Sequence, residues 1–456
     1  MKKLILSLAG CLAFGLSAQA QWVLQPFSFA PADNLALLDA VDANTAWALS
    51  DGYFSREYTN QVARTFDGGQ NWTVLTVAQV NTNEEGIEAL SAVSAATAWI
   101  ATLGDNGGRV LKTTNGGSTW TVQSTSAMYS GPRSWPNAIH FFNANDGVVI
   151  GDPAVRNEPA ARNEAMEIYY TSNGGTSWTR SANVPIGTVN EFGTLTLPAV
   201  AGNSIWFTND RGDIFRSTDK GVTWAVTRGV GPREIEALAF RDEQNGLALI
   251  SDNATNHTLY RTTDGGVTWN QLSYTGPLRS FALDNIPGTN NYISVGINFT
   301  NFTKSDAGSS YSRDNGQTWT SIETSINHFN VDAVSPTAVW AGAIGGNADG
   351  EPIGIGAAKL TSTVLPTRAA AAVLGASLAP NPSASGQFRV QWPAAAHTGT
   401  ITLTVADALG REVQRRSLEA ARATELSLDL SGEKAGVYQV TLTSAAGVSR
   451  LRAQVL

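Results

Sequence analysis

The sequence repeats one nine-residue phrase six times, and the spacing of the copies limits the folds that this chain can adopt. Each copy has Asp or Asn at its fourth position, Gly at its sixth and Trp at its ninth. The copies end at Trp72, Trp120, Trp178, Trp224, Trp269 and Trp319, which lie 48, 58, 46, 45 and 50 residues apart. Such a period accommodates one four-stranded sheet per repeat and is too long for a two-helix hairpin. The repeat therefore predicts a β-propeller.

Each copy has the chemistry of a tight turn between two strands. Asn or Asp followed by Gly tolerates the positive φ angles of a hairpin turn, and the side-chain oxygen can accept backbone N–H bonds within the turn. The Trp starts the next strand and offers an apolar face to a neighbouring blade. Because two copies carry Asn, which could not act as a catalytic carboxylate, we predict a structural role for the whole set: Asp67, Asn115, Asn173, Asp219, Asp264 and Asp314.

A second motif sets the number of blades at seven. Residues 38–47, 90–99 and 331–340 have similar sequences, each ending in Trp, and no turn phrase follows the third copy. We interpret that copy as a seventh blade with a degenerate phrase. Its missing outer strand is predicted at residues 21–25, where pairing of the first strand with the last blade would close the ring and remove an open edge. The propeller is expected to span residues 21–365.

The N-terminus has the features of a signal peptide. Lys2 and Lys3 precede an apolar run, and Ala18-Gln-Ala20 fits the small-x-small cleavage rule, so residues 1–20 are predicted to be removed on export. Cys11 offers a competing interpretation as a lipoprotein processing site. It is also the only cysteine, so ordinary cleavage would leave no disulfide or thiolate site. No later stretch reaches 18 uninterrupted apolar residues, which argues against a transmembrane segment.

Length and charge add two expectations. The formal charge is −8, or −10 once Lys2 and Lys3 are removed, which argues against nucleic acid as a partner. At 456 residues the chain exceeds the usual size of one core, so a second domain is expected. Residues 366–377 have the composition of a linker. Residues 378–456 show short alternating strands at 387–392, 401–405, 426–430 and 437–443, and predict a small immunoglobulin-like β-sandwich.

Two family resemblances follow from these motifs. The phrase resembles the Asp-box of the bacterial neuraminidase repeat. The tail resembles the type A C-terminal sorting domain of the type IX secretion system of the Bacteroidetes, with matching segments at 380–382, 407–413, 428–431, 435–438 and 454–456, although Arg450 and Arg452 stand in place of a terminal lysine. That resemblance implies recognition by the secretion machinery, export through the periplasm, and release or attachment at the cell surface. The alternative is an immunoglobulin-like module that acts as a spacer or binds a ligand.

Three arginines at blade entries are the candidate ligand-binding residues. Arg133, Arg233 and Arg279 each follow a Gly-Pro pair just before an inner strand, so the ring would bring them to one rim of the central channel. Guanidinium groups there would suit a carboxylate or phosphate, and Glu191 is predicted at the same rim in blade four. The alternative is that each arginine pairs with a nearby acid, such as Glu234, and only holds its loop in place.

The sequence offers little for a metal site. The four histidines, at 140, 257, 328 and 397, lack ligand spacing, so we expect no zinc site and no other cofactor. Calcium remains an open alternative, because loop residues such as Asn203, Asp210 and Asp213 could supply oxygen ligands. Solvated loop charges would explain the same residues.

The Asp-box resemblance leaves a binding scaffold and an enzyme as competing functions. Sialidases with such boxes carry a Phe/Tyr-Arg-Ile-Pro segment that this chain lacks, and xyloglucan hydrolases need a cleft between two propellers. The blade length and the phrase at residues 139–147 resemble those of the photosystem II assembly and stability factor family, which implies a binding scaffold without known chemistry. We expect a monomer that binds a protein or glycan ligand. The alternative is a glycoside hydrolase or lyase acting on acidic polysaccharide, with candidate carboxylates Glu164, Glu167, Glu191 and Asp213.

Overall fold

The structure is a computed structural model that divides into two compact units, residues 1–365 and 366–456. It describes residues 21–31, 35–51, 57–104, 107–130, 134–153, 165–186, 197–231, 234–251, 257–298, 306–346, 352–361, 376–392, 400–407, 412–419, 425–444 and 447–456. All helical or strand structure in these ranges is β-strand. The predicted leader lies outside the described residues.

The first unit is a seven-bladed β-propeller in which each blade is a four-stranded antiparallel sheet. Blade one holds β2 (Leu35–Ala40), β3 (Ala46–Asp51), β4 (Gln61–Thr65) and β5 (Thr73–Thr76). Blade two holds β6 (Glu85–Ala92), β7 (Ala98–Gly104), β8 (Arg109–Thr113) and β9 (Thr121–Val122). Blade three holds β10 (Pro136–Phe141), β11 (Gly147–Gly151), β12 (Glu167–Thr171) and β13 (Thr179–Arg180).

The remaining blades follow the same order from inner to outer strand. Blade four holds β14 (Ala199–Ala201), β15 (Ser204–Thr208), β16 (Ile214–Ser217) and β17 (Ala225–Thr227). Blade five holds β18 (Ala237–Phe240), β19 (Gly246–Ser251), β20 (His257–Thr262) and β21 (Asn270–Leu272). Blade six holds β22 (Ala282–Asn285), β23 (Tyr292–Gly296), β24 (Gly308–Ser312) and β25 (Thr320–Glu323). Blade seven holds β26 (Asn327–Ser335), β27 (Ala338–Gly346), β28 (Pro352–Thr361) and β1 (Gln21–Pro26).

Blade seven confirms the predicted closure of the ring. Strand β1 pairs antiparallel with β28, with Trp22 opposite Leu360. The Trp22 indole is 3% exposed, and its Nε1 donates a hydrogen bond to the Ser309 hydroxyl of blade six at 2.8 Å. The ring lies 4.6 Å from the His328 ring of the same blade. The N-terminal strand therefore completes the last sheet and also ties it to the preceding blade.

The six turn phrases share one hydrogen-bonding geometry. A Thr or Ser hydroxyl two residues before the Asp or Asn donates to its side-chain oxygen at 2.8–3.0 Å and accepts the N–H of the following Gly. The same oxygen accepts the N–H four residues further on, at 2.8–3.0 Å. In blade one the Asn71 side chain and backbone are the main donors to Asp67, and they lower its pKa to about 2. The oxygen therefore braces the turn, as a carboxylate or as an amide.

The turn glycines also lie close to the preceding blade. Gly117 of blade two has φ +82°, and a Cβ there would come within 2.9 Å of Leu75 of blade one. Trp120, which ends this phrase, packs edge-on against Trp47 of blade one, with ring centroids 6.4 Å apart. The phrase thus shapes a hairpin and packs it on a neighbour, because only glycine fits both the backbone angle and the space.

The first residue of several phrases bridges adjacent blades. Lys112 of blade two donates from Nζ to the Gly174 carbonyl of blade three at 2.9 Å, and its ammonium lies 4.8 Å from the Trp99 ring centroid. Arg64 and Arg216 likewise donate to carbonyls of the next blade, at 2.8 and 3.2 Å. Lys359 does the same between blades seven and one. Lys112, Arg64 and Lys359 combine this carbonyl hydrogen bond with a cation–π contact to a Trp of their own blade.

The second unit is a small β-sandwich. One sheet has the order β29 (Ser377–Ala379), β30 (Gln387–Gln391), β33 (Glu425–Asp429). The other has the order β32 (Glu412–Glu419), β31 (Thr400–Ala406), β34 (Gly436–Ser444), β35 (Gly447–Val455). Inward-facing residues of both sheets, including Val390, Leu403 and Val440, form one core. Asn381 secures the last strand, because its Nδ2 donates to the Arg452 carbonyl at 2.6 Å and its Oδ1 accepts the Gln454 N–H at 2.9 Å.

Candidate functional site in the central channel

The inner strands of all seven blades enclose a cavity of about 1520 Å³. These strands are β2, β6, β10, β14, β18, β22 and β26. Side chains alternate along each strand, so about half of the inner-strand residues face this space while the others pack between blades. We call the cavity the central channel. It is the candidate functional site, because large concave cavities are where propeller and barrel folds usually take up ligands.

Five blades place a polar side chain at the same position of the inner strand. The residues are Asp284 in blade six, Asp332 in blade seven, Asp39 in blade one, Ser91 in blade two and His140 in blade three. Each is paired across its blade with a residue of the second strand, and all five line the channel. The three aspartates are half-buried and belong to consecutive blades, so the ring gathers them on one side of the channel.

These side chains link each inner strand to the next one. Asp284 accepts the Ala333 N–H at 2.7 Å, Asp332 accepts the Ala40 N–H at 2.6 Å, and Asp39 accepts the Ala92 N–H at 2.5 Å. In blade two the Ser91 hydroxyl accepts the Phe141 N–H at 2.9 Å in the same way. The contact between blades therefore needs an acceptor but not a negative charge.

Burial raises the pKa of all three carboxyl groups, and Asp332 raises the pKa of the other two further. Burial is the largest cause for Asp39 and Asp284, and repulsion from Asp332 raises both pKa values further above the ordinary value of 3.8. Burial also raises the pKa of Asp332, to about 6, against the lowering effect of its hydrogen bond from Ala40. In blade three, burial lowers the pKa of His140 to about 4, so this ring is neutral at pH 7. Among the described residues, no Lys or Arg contributes to the pKa shifts of the three aspartates.

One mouth of the channel combines apolar and acidic side chains. Leu103, Trp135, Leu197, Phe281 and Phe329 line the end at which the inner strands begin, and Leu197 is 41% exposed. We call these five residues the apolar collar. At the other end, residues 241–244, Pro287 and Gly288 line the channel after the inner strands end. The channel thus offers apolar surface next to Asp152, Glu234 and Glu236 at one mouth, and the three aspartates further inside.

Of the four residues predicted at the channel rim, three arginines and Glu191, the structure describes only Arg279. Arg279 is 8% exposed, and its guanidinium lies 3.7 Å from Asp306 Oδ1. The other Asp306 oxygen accepts the Ser280 N–H at 2.7 Å and the Ser280 hydroxyl at 2.6 Å. Arg279 is therefore held within its own blade. Arg133, Arg233 and Glu191 lie outside the described residues, so the shared rim stays a prediction.

The structure describes two of the four candidate carboxylates for hydrolysis, and both are engaged in contacts within the protein. Glu167 is 4% exposed and accepts hydrogen bonds from the Tyr129 N–H, the Tyr169 hydroxyl and the Ser134 hydroxyl. Asp213 is also 4% exposed; it pairs with Arg228 at 2.6 Å and accepts the Gly229 N–H at 2.8 Å. Glu164 and Glu191 lie outside the described residues.

The oxygen ligands suggested for calcium do not form one cluster. Asn203 precedes β15, whereas Asp210 and Asp213 follow it at the opposite end of that strand. Asp210 lies 3.6 Å from the Arg211 guanidinium, and Asp213 pairs with Arg228. Within the described ranges, no three His, Cys, Asp or Glu side chains are grouped to hold a metal ion. Calcium binding stays an open prediction.

Comparisons with known proteins agree with the two units. Residues 212–344 match the Sortilin-Vps10 model, described as sortilin, neurotensin receptor 3, and residues 377–453 match the secretion system C-terminal sorting domain. The chain is an Asp-box β-propeller with a C-terminal sorting domain. The sorting domain indicates that this Asp-box propeller is exported and then secreted or attached to the cell surface. In the described part of the Asp-box propeller and its tail, no helix has the length and hydropathy of a membrane span.

Several solved structures are similar to the Asp-box propeller. A structure of YCF48 bound to D1 peptide has a TM-score of 0.51 and 16% identity, covering 76% of this chain and 97% of its own. The GH74 enzyme of Niastella koreensis has a TM-score of 0.44 and 12% identity, covering 92% of this chain and 65% of its own. A protein of unknown function from Dyadobacter fermentans has a TM-score of 0.42 and 10% identity, covering 75% of this chain and 98% of its own. None of the curated proteins compared with the sequence matches it.

The channel aspartates were missed by sequence reasoning. Asp39 and Asp332 occupy the same place in the motifs at 38–47 and 331–340, which served only to count the blades. Their alternation with apolar residues in an inner strand was the available signal. It did not reveal their proximity, because Asp284 and Asp332 come together only when blades six and seven pack, and Asp39 joins them only when the ring closes.

Proposed function

We propose that this Asp-box propeller is a binding scaffold that takes up a protein or glycan ligand in its central channel. The sorting domain would be recognised by the type IX secretion machinery after export of the chain through the periplasm under its N-terminal leader. The propeller would then act outside the cell, either free or attached to the surface. This proposal assigns ligand binding to the propeller and recognition by the secretion machinery to the tail.

The observation that carries the proposal is the size and lining of the channel. Pockets for small molecules usually measure about 300–1,000 Å³. The channel, at about 1520 Å³, exceeds that range and is lined by every blade. A cavity of this kind suits an extended polymer segment, such as a stretch of peptide or glycan, better than a single metabolite.

A glycoside hydrolase or lyase is the alternative, and the carboxylates favour it less. Glycoside hydrolysis usually needs two carboxyl groups on either side of the scissile bond, with one available to donate a proton. Glu167 and Asp213 are both buried and engaged in hydrogen bonds within their own blades. An acidic polysaccharide would also meet repulsion from the channel aspartates.

The two functions separate in one experiment. The full chain is applied to a glycan array and to immobilised acidic polysaccharides and peptides, and the same ligands are incubated with it in solution and checked for shorter products. A scaffold retains a ligand without changing its length. Release of shortened or unsaturated products would contradict the scaffold proposal, and so would the absence of retention on every class of ligand.

A further inference from the structure

We propose that the central channel binds a peptide segment of another protein that carries Lys or Arg between apolar residues. This inference rests on the proposed function, because it names the chemistry of the ligand for the same site. It follows from the charge of the channel lining, from the position of the three aspartates, and from the apolar collar at one mouth.

The first argument is the unbalanced charge of the channel. Among the described residues that line it, nine are Asp or Glu, and Arg241 alone is Lys or Arg. Arg241 is already engaged: its Nε lies 3.1 Å from Asp242, and its Nη1 donates to Asn290 and Asn315 at 2.6 Å. Carboxylates gathered in a cavity with low-dielectric walls focus a negative potential, which raises the local concentration of cations.

The second argument is that the deep charges exceed what the blade contacts require. Asp39, Asp284 and Asp332 each use one oxygen to accept a backbone N–H of the next blade. Ser91 makes the same kind of contact in blade two without a charge. Ser or Asn would therefore supply the same hydrogen-bond acceptor without the energetic cost of a buried negative charge. A cationic group in the channel would offset the repulsion among the three carboxylates and favour their ionised forms.

The third argument selects a peptide among cationic ligands. The apolar collar lies at the mouth, and Leu37, which is half-buried and two residues before Asp39 on the same face of β2, adds apolar surface beside it. A polyamine or an amino sugar polymer would leave this apolar surface without a matching partner, whereas apolar side chains would bury it. An inner strand of six residues spans about 20 Å, so an extended segment of five or six residues fits its length.

The probes are three blocked pentapeptides in which phenylalanine and leucine alternate with lysine, with glutamine or with glutamate. Binding to the full chain is measured by isothermal titration calorimetry at pH 7. We expect the lysine peptide to bind at least about tenfold more tightly than the glutamine peptide, and the glutamate peptide to bind weakest, since charge complementarity governs specificity here. Equal affinity for the lysine and glutamine peptides, or tighter binding of the glutamate peptide, would overturn the inference.

Variants then locate the site. The triple variant Asp39→Asn/Asp284→Asn/Asp332→Asn keeps the hydrogen-bond acceptors and removes three charges. Its matched control, Glu425→Gln/Asp429→Asn/Glu433→Gln, removes three charges from exposed positions of the sandwich. We expect the channel variant to lose about tenfold in affinity for the lysine peptide and the control to lose nothing beyond about twofold. Equal losses in both variants would contradict a site in the channel.

A second variant tests the same site without changing the aspartates that join the blades, in case the triple variant folds poorly. Glu234 lines the channel at an exposed position, so Glu234→Lys reverses a charge without disturbing the core. Its control is Glu433→Lys in the tail. Weaker binding of the lysine peptide to Glu234→Lys alone supports the inference, and unchanged binding contradicts it.

Failure of this inference and failure of the scaffold proposal give different results. If the glutamate peptide, an amino sugar polymer or a neutral glycan is retained in place of the lysine peptide, the channel is a ligand site of other chemistry. If no peptide and no glycan is retained, the scaffold proposal itself fails.

Discussion

At the scale of single residues, the channel aspartates combine a structural contact with an electrostatic cost. Each accepts a backbone hydrogen bond that joins two blades, and burial raises the pKa of each, with repulsion from Asp332 raising those of Asp39 and Asp284 further. A carboxyl group with a raised pKa in the folded protein binds its proton more tightly there than in the unfolded chain. It therefore contributes stability at low pH that is lost as the pH rises through the folded-state pKa.

Substitution of one aspartate should reveal this cost as a pH-dependent gain in stability. The pKa of Asp332 is raised from 3.8 to about 6, so we expect Asp332→Asn to match the parent at pH 4 and to be more stable by about 1–2 kcal/mol at pH 8. The titratable groups that interact with Asp332 are Asp39 and Asp284. Thermal melts of both proteins from pH 4 to 8 measure the difference. A variant less stable than the parent at pH 8 would contradict the assigned cost of burying this carboxylate.

Arg279 provides a second prediction at this scale. Its guanidinium and Asp306 are both buried, so Arg279→Ala would leave a carboxylate with only the two Ser280 donors. We expect a loss of about 3 kcal/mol, because removing one partner of a buried ion pair leaves an uncompensated charge. Chemical denaturation measures the loss, and Arg279→Ala/Asp306→Ala should recover part of it.

The predicted anion-binding rim leads to a different expected result for Arg279→Ala. If Arg279 acts with Arg133 and Arg233 on a shared anionic ligand, each single substitution to Ala should weaken the binding of an anionic probe and leave the melting temperature nearly unchanged. Binding isotherms and melts of the three variants distinguish the two roles. An unchanged stability of Arg279→Ala would argue against the structural role.

At the scale of elements, β1 is the strand that closes the ring, because it pairs with β28 of the last blade. Deleting residues 21–26 should expose the edge of β28 and reduce both solubility and the cooperativity of unfolding, because unpaired edges promote aggregation. The point variant Trp22→Ala removes a side chain that is 3% exposed and should cost about 3–5 kcal/mol.

A neighbour on the same strand provides the control for that prediction. Leu24 is 45% exposed, so Leu24→Ala should change the free energy of unfolding by well under half of the Trp22→Ala loss. Scanning calorimetry and urea denaturation measure both variants. An unchanged transition after deletion of residues 21–26 would mean that blade seven is stable without its outer strand.

The elements also show how far the sequence alone could lead. The six phrases and the degenerate seventh copy predicted seven blades because turn chemistry is local, and the outer strand at 21–25 was recognisable by its likeness to strands after the phrases. The cation that opens some phrases was visible but unexplained. Its partner, such as the Gly174 carbonyl for Lys112, lies 62 residues away and is specified only by the packing of two blades.

The tail was predicted less completely. The four expected strands at 387–392, 401–405, 426–430 and 437–443 all have counterparts, with boundaries that differ by at most one residue. The strand β32 was not anticipated, because Arg415 and Arg416 interrupt any apolar alternation along it. It is an edge strand paired only with β31, and an edge position tolerates such charges.

At the scale of the whole molecule, the two compact units predict that binding and delivery can be separated. Deleting residues 378–456 removes the sandwich and its sorting motifs, while the propeller closes on β1 and retains its own core. We expect the truncated protein to melt as a folded propeller and to accumulate in the periplasm. Cell fractionation of the truncated and full-length chains measures this. Normal yield of the truncated chain outside the cell would contradict recognition through the tail.

The closure of blade seven by the N-terminal strand also has a consequence for the timing of folding. Trp22 pairs with Leu360, so the two partners are separated by 360 − 22 = 338 residues. For an unstructured chain, joining ends this far apart costs about 5 kcal/mol of loop entropy from the length-dependent contribution alone. If the intervening blades form first, they bring the two ends together and the final pairing becomes nearly local. Strand β1 then stays unpaired until β28 has been synthesised. A chain interrupted before β28 therefore cannot complete its ring and remains accessible to proteases.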